Sequence, residues 1–124
     1  MGFSEAVKSA FRNYVNFSSR SRRPEYWYFV LFLFLVGIVT GLADFGIFHT
    51  PESDISPFSA IFYLATLIPS LSVAVRRLHD IGRSGWFLLL ALIPVIGALL
   101  LIYWLCQPGT PGPNTYGNPV AYAP

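Results

Sequence analysis

Arg76-Arg77-Leu78-His79-Asp80-Ile81-Gly82-Arg83-Ser84-Gly85-Trp86 is a short island of charge between two apolar segments. It holds Arg76, Arg77 and Arg83 of the eight basic residues and His79 of the two histidines. Arg76 and Arg77 come at the end of an apolar run, where the negative end of a helix favours cations. Asp80 lies four residues after Arg76 and three after Arg77, so it can pair with either on a helix surface. Gly82 is suited to a left-handed helix stop. Ser84 can cap the helix that follows, and Trp86 can anchor it at a membrane interface. The stretch therefore reads as a tight charged turn between two membrane helices.

The composition agrees. In 124 residues, 54% are hydrophobic and 11% charged; an ordinary soluble domain has about 25% charged residues. The mean hydropathy is +0.55. So few charges would barely cover the surface of a small soluble protein, whereas a bilayer removes that demand. One integral membrane domain over 1–124 is expected. It has a basic amphipathic segment over 1–26 and a Pro- and Gly-rich tail over 107–124. The single cysteine, Cys106, rules out an internal disulfide and reads as a small apolar residue near a helix end. The first apolar run is too long for the core of a cleaved signal peptide, so it is expected to remain as an anchor.

Upstream of the island, Phe3, Val7, Ala10, Phe11, Tyr14 and Val15 recur at helical spacing, with Lys8, Arg12, Asn13 and Asn16 opposite. This predicts an amphipathic interfacial helix over about 4–17, capped by Ser4. Packing on the rest of the protein is the other reading of its apolar face, and the two are compatible. Arg20, Arg22 and Arg23 follow, as headgroup-facing and orientation-setting residues. Pro24 suits the first turn of a helix.

Three transmembrane helices are predicted, over about 27–48, 57–75 and 86–106, giving an all-α membrane protein. Gly37 and Gly41 form a GxxxG, which permits close helix approach. Asp44 is expected to reach the outer interface. His49–Ser56 reads as a loop containing Pro51, Glu52 and Asp54, with Ser56 as a helix cap. Pro69 and Pro94 are expected kinks. Pro69 should free the carbonyl of Ala65, for which Thr66, Ser70 and Ser72 are the nearest substitutes. All Lys and Arg lie before the first span or between the second and third. The positive-inside rule then puts the N-terminus in the cytoplasm and, with three spans, the C-terminus outside. Pro94 and Gly97 leave a second path, a re-entrant hairpin that returns the tail to the cytoplasm.

His79-Asp80 is the one adjacent pair with catalytic character, and it lacks a nucleophile or ligand set to work with. The other histidine, His49, is expected across the membrane. No phosphate loop, paired-carboxylate site or metal motif is present. No enzyme activity, catalytic residue, metal or cofactor is expected. Nucleic acid is not an expected partner, because topology already accounts for the basic residues.

The same residues resemble a known family. Arg76 to Trp86 is similar to the signature of the small bacterial inner-membrane proteins grouped as domain of unknown function 805. Phe17 to Trp27 resembles that family's Gly-Arg-x-x-Arg-x-x-Tyr-Trp segment, with Ser19 where Gly is usual. Ile93 to Gly97 and the Pro108-Gly109-Thr110 to Asn114-Thr115-Tyr116-Gly117 region also fit, so the resemblance spans about residues 11–119. It implies a bacterial inner-membrane location and no assigned activity. It also implies that the loop is a working surface, with Arg76, Arg77, His79, Asp80, Arg83, Ser84 and Trp86 as candidate contacts. The expected function is a protein- or lipid-interaction module, with membrane lipids, a protein partner or a second copy as partners. The alternative is a small oligomeric transporter or channel, with the Pro69 and Pro94 kinks facing a shared cavity.

Overall fold

The computed structural model describes residues 2–48 and 57–118. The His49–Ser56 loop, with Pro51, Glu52, Asp54 and the Ser56 cap, lies outside the described residues, as do the last six residues of the tail. The described chain is helical: α1 (Phe3–Arg12), α2 (Arg23–Ala43) running on as a π-helical turn (Asp44–Phe48), α3 (Pro57–Asp80), a 3-10 helix (Gly85–Leu92) and α4 (Ile96–Cys106).

The amphipathic helix is shorter than expected. Asn13 stops it at Arg12, its side-chain Nδ2 and backbone N–H both donating to Ser9 O. Gly2 stands at the start and Ser4 is inside the helix, so Ser4 is not the cap. The apolar face packs inward. Ala10, Phe29 and Val73 form one buried cluster that joins α1, α2 and α3, with Phe11 edge-on to Phe29 and Phe32.

Among the described residues, α2 and α3 are the two helices long and apolar enough to cross a membrane. Only 11% and 28% of their apolar windows are buried within the chain. That much outward-facing Leu, Ile, Val and Phe exceeds what a soluble monomer exposes, and it fits a lipid environment. The end of the pair opposite the charged island is closed by Asp44. Its buried carboxylate accepts from the backbone N–H groups of Phe58 (2.8 Å) and Ser59 (3.0 Å). It therefore caps the positive end of α3. A Cβ added at Gly37 or Gly41 would meet nothing within 4 Å, so the GxxxG serves no packing among the described residues.

α3 passes through Pro69 without interruption. The Ala65 carbonyl freed by the proline accepts instead from Tyr14 Oη at 2.6 Å. The hydroxyls expected to compensate are used elsewhere: Thr66 donates to Phe62 O, and Ser72 to Pro69 O and Asn13 O. The stop of α3 is as expected. Gly82 has φ +79°, its N–H donates to His79 O, and the Arg83 N–H donates to Leu78 O, the paired bonds of a Schellman motif.

The third predicted span, 86–106, is not a single helix. Ser84 does accept from Trp86 N, but the helix it caps is 3-10 and ends at Leu92. Ile93 is extended before Pro94, as a residue preceding proline prefers. Val95 then takes φ +64°, and Ile96 N–H closes a γ-turn onto Pro94 O at 2.7 Å. The chain reverses, and α4 packs back along the 3-10 arm. At about 2.0 and 1.5 Å rise per residue, the arms of eight and eleven residues each span roughly 16 Å, about half a hydrocarbon core. Leu101 and Leu105 of α4 bury Leu78 of α3 in a second cluster, flanked by Trp27 and Trp104. The tail thus emerges at the end that holds Arg20 and the charged island. The expected single 86–106 helix is therefore replaced by two short helices folded on one another, the hairpin that Pro94 and Gly97 also allowed.

The hairpin depends on Gly97, because a Cβ there would fall on the Leu90 carbonyl. Gly97→Ala is expected to lower stability by about 1–3 kcal/mol, read as a lower thermal midpoint in detergent. Gly37→Ala, whose methyl meets open space, should leave the midpoint unchanged or raise it.

Candidate functional site

The last turn of α3 brings Arg76, Arg77, His79 and Asp80 to one end of the molecule, and all of them are buried. The Asp80 carboxylate lies between two arginines. Oδ1 accepts from Arg20 Nε at 2.9 Å and Oδ2 from Arg77 Nη1 at 2.8 Å. Sequence spacing offered Asp80 a partner in Arg76 or Arg77; Arg77 is one, and the other comes from sixty residues upstream. Arg76 pairs instead with Glu25 on α2, Nη1 to Oε1 at 2.8 Å.

Burying ions is costly unless every polar edge is matched. Arg20 meets that condition in full. Besides Asp80 Oδ1, its guanidinium donates to the carbonyls of Asp80, Thr110, Gly112 and Gly117. Arg77 donates to Leu105 O and Ser21 O as well as to Asp80, and makes a further contact with Gln107 O. Three guanidinium groups against the two carboxylates of Glu25 and Asp80 leave an excess of one positive charge, which the ring of carbonyl dipoles offsets. Arg76 Nε and Nη2 are buried without a protein partner.

The tail can supply these carbonyls because it is built of small and turn-forming residues. Gly109 lies so close that a Cβ would collide with the Asp80 carboxylate. Thr110 N–H donates to Asp80 O at 2.7 Å. Asn114 and Gly117 exchange backbone bonds across a turn, with Gly117 at φ +107°, and Asn114 Nδ2 donates to His79 O. The His79 ring stacks on Tyr116 at 3.8 Å and 2°. Its Nδ1 lies 3.0 Å from Ser19 O, which can only accept, so Nδ1 carries the proton. His79 is therefore a clamp between the linker that joins α1 to α2 (residues 13–22) and the tail.

The candidate contacts read from sequence thus divide in two. Arg76, Arg77, His79 and Asp80 are interior and are not a working surface. Arg20 joins them and does not face headgroups. Arg22, Arg23 and Arg83 remain exposed, and Trp86 is 80% exposed. Arg23 donates to Cys106 O, Arg83 sits 4.1 Å over the Trp104 ring, and Ser84 is spent as a cap. Sequence reasoning missed Glu25 as an ion-pair partner and the tail as a ligand of arginines. The one signal for the tail was its density of Gly and Pro, which leaves carbonyls without helical partners. Among the described residues, no group of three or more His, Cys, Asp and Glu side chains converges on a metal position.

A family profile described as "Protein of unknown function (DUF805)" matches residues 14–118. That range takes in the whole ionic cluster and leaves out α1. Inner membrane protein YhaI of Escherichia coli K12 is 42% identical over 110 residues, covering 89% of this chain and 90% of the relative. Inner membrane protein YhaH of the same strain is 42% identical over 106 residues, covering 86% and 88%. No solved structure gives a significant match.

Asp80→Asn keeps the shape and removes the charge shared by Arg20 and Arg77. It is expected to cost about 3–5 kcal/mol, as for a buried ion pair that loses one partner. The readout is the thermal midpoint in mild detergent, together with protease release of the tail. A variant as stable as the parent, with its tail still protected, would mean that the cluster does not hold the tail.

Proposed function

The chain belongs to the family described as "Protein of unknown function (DUF805)", and from that premise we propose a non-enzymatic, multi-pass inner-membrane protein whose cytoplasmic cap is an interaction platform. In this reading α2 and α3 cross the bilayer and the 3-10/α4 hairpin enters one leaflet and returns. The N-terminal segment and the tail both lie in the cytoplasm. The positive-inside rule supports that orientation, since the basic residues gather at the end where the cap lies. The hydrogen bonds from Arg20 to Gly112 and Gly117 support a tail on the same side as the linker.

One observation carries the functional reading. Once the interior has taken Arg20, Arg76 and Arg77, the five remaining basic residues, Lys8, Arg12, Arg22, Arg23 and Arg83, are all exposed. Glu5 is the one exposed acid among the described residues. A rigid cap with a basic rim suits anionic headgroups or an acidic protein partner. The buried cluster holds the cap in shape, and the rim makes the contacts. Transport is less favoured, because Thr40, Ser59, Thr66 and Ser72 spend their polar groups on bonds inside the chain.

Two experiments test this. In a Cys106→Ala background, cysteines placed at Ser18 and Asn118 should both be labelled from the cytoplasmic side alone; periplasmic labelling of position 118 would overturn the topology. Native mass spectrometry of gently extracted protein should find a bound lipid or protein that is depleted severalfold in an Arg12→Gln/Arg22→Gln/Arg23→Gln variant. A bare monomer in both samples would overturn the platform.

A further inference from the structure

A groove of about 500 Å³ opens beside the cap, between the turn after α3, the last turn of α4 and the start of the tail. Ile81, Arg83, Tyr103, Trp104, Gln107 and Thr110 line it. Its charge is one-sided. Arg83 supplies a full positive charge, and no acid is among the lining residues. The nearby acid in sequence, Asp80, is turned inward and claimed by Arg20 and Arg77. Arg83 itself makes no ion pair and no side-chain hydrogen bond among the described residues; it rests on the Trp104 face at 4.1 Å, with Phe87 at 6.0 Å. That stacking fixes the plane of the guanidinium and leaves its N–H edge for an anion. Thr110 Oγ1 accepts from Asn114 Nδ2, so its own hydroxyl hydrogen is available to donate.

Two further features give the depth. Each hairpin arm is about half a hydrocarbon core in length, so the open end of the hairpin, where the groove lies, falls at the headgroup level. Tyr103, 61% exposed, lines it, and Trp86, 80% exposed, stands at the start of the other arm, as interfacial aromatics do. Below it, Leu99 and Ile102 present an apolar strip on α4. A phosphate at the mouth with acyl chains along that strip would satisfy both ends. A headgroup amine would find no carboxylate to accept it, which selects against zwitterionic ethanolamine lipids.

We propose that this groove binds one anionic phospholipid, its phosphate held by Arg83 and Thr110 and its acyl chains lying along α4. The proposal rests on the platform reading and names a ligand class for one part of it. The test is native mass spectrometry of the full chain in nanodiscs holding phosphatidylglycerol and phosphatidylethanolamine in equal amounts. The parent is expected to retain one phosphatidylglycerol per chain. Arg83→Gln should lower that occupancy at least tenfold and Thr110→Val severalfold, both with an unchanged far-ultraviolet circular dichroism spectrum as a sign of intact folding. Unaltered phosphatidylglycerol retention in both variants, or equal retention of phosphatidylethanolamine by the parent, would overturn the site. If the Arg12/Arg22/Arg23 variant still loses its ligand in that case, the platform reading survives without it. Displacement of phosphatidylglycerol by an equal concentration of inorganic phosphate would also overturn it, in favour of a soluble phosphate ligand.

Discussion

One carboxylate between two arginines holds this molecule together at its charged end. Asp80 is shared by Arg20 and Arg77 in an interior where ions are costly, and the arrangement is tolerable because the remaining donors are met by backbone carbonyls. Those carbonyls belong to the linker before α2, the end of α4 and the tail. Satisfying the two guanidinium groups therefore requires three distant segments to arrive at one place. The same bonds that neutralise the ions also set the course of the chain.

The rest of the fold follows from that requirement. A tail bound to Arg20 must lie at the linker's end of the fold, so the segment after Trp86 has to turn back on itself. Pro94 and Val95 make the reversal, and Gly97 allows the arms to touch. At the far end of the helical pair Asp44 caps α3 across the connection. Between the two ends, Tyr14 fills the hydrogen-bond gap made by Pro69. The open start of α3 and the freed Ala65 carbonyl are thus answered by residues from other elements, which ties α2 and the segment after α1 to α3.

This division of labour separates structure from contact among the arginines. Those buried inside shape the cap, and the exposed ones form the proposed basic rim. Arg83 belongs to the second group although it lies in the same short stretch as Arg76 and Arg77. Gly82 separates them, because its left-handed turn swings the chain out of the α3 axis just after Asp80.

The sequence by itself determined the solvent of this protein, its two long apolar helices, the stop at Gly82 and the clustering of basic residues toward one face. These are local or compositional properties: hydropathy, helical spacing and the φ that only glycine adopts readily. The amphipathic segment was legible from its period, though not its end at Arg12, because the side chain of Asn13 competes with the helix there. What only the tertiary structure decided was which acid meets which arginine, that the cluster is interior, and that the final apolar run folds back. Twenty apolar residues satisfy the length rule for a span whether or not they are straight. The reversal is instead selected by carbonyls of a tail more than ninety residues from the arginine that binds them, and pairings at that separation leave no periodicity to read.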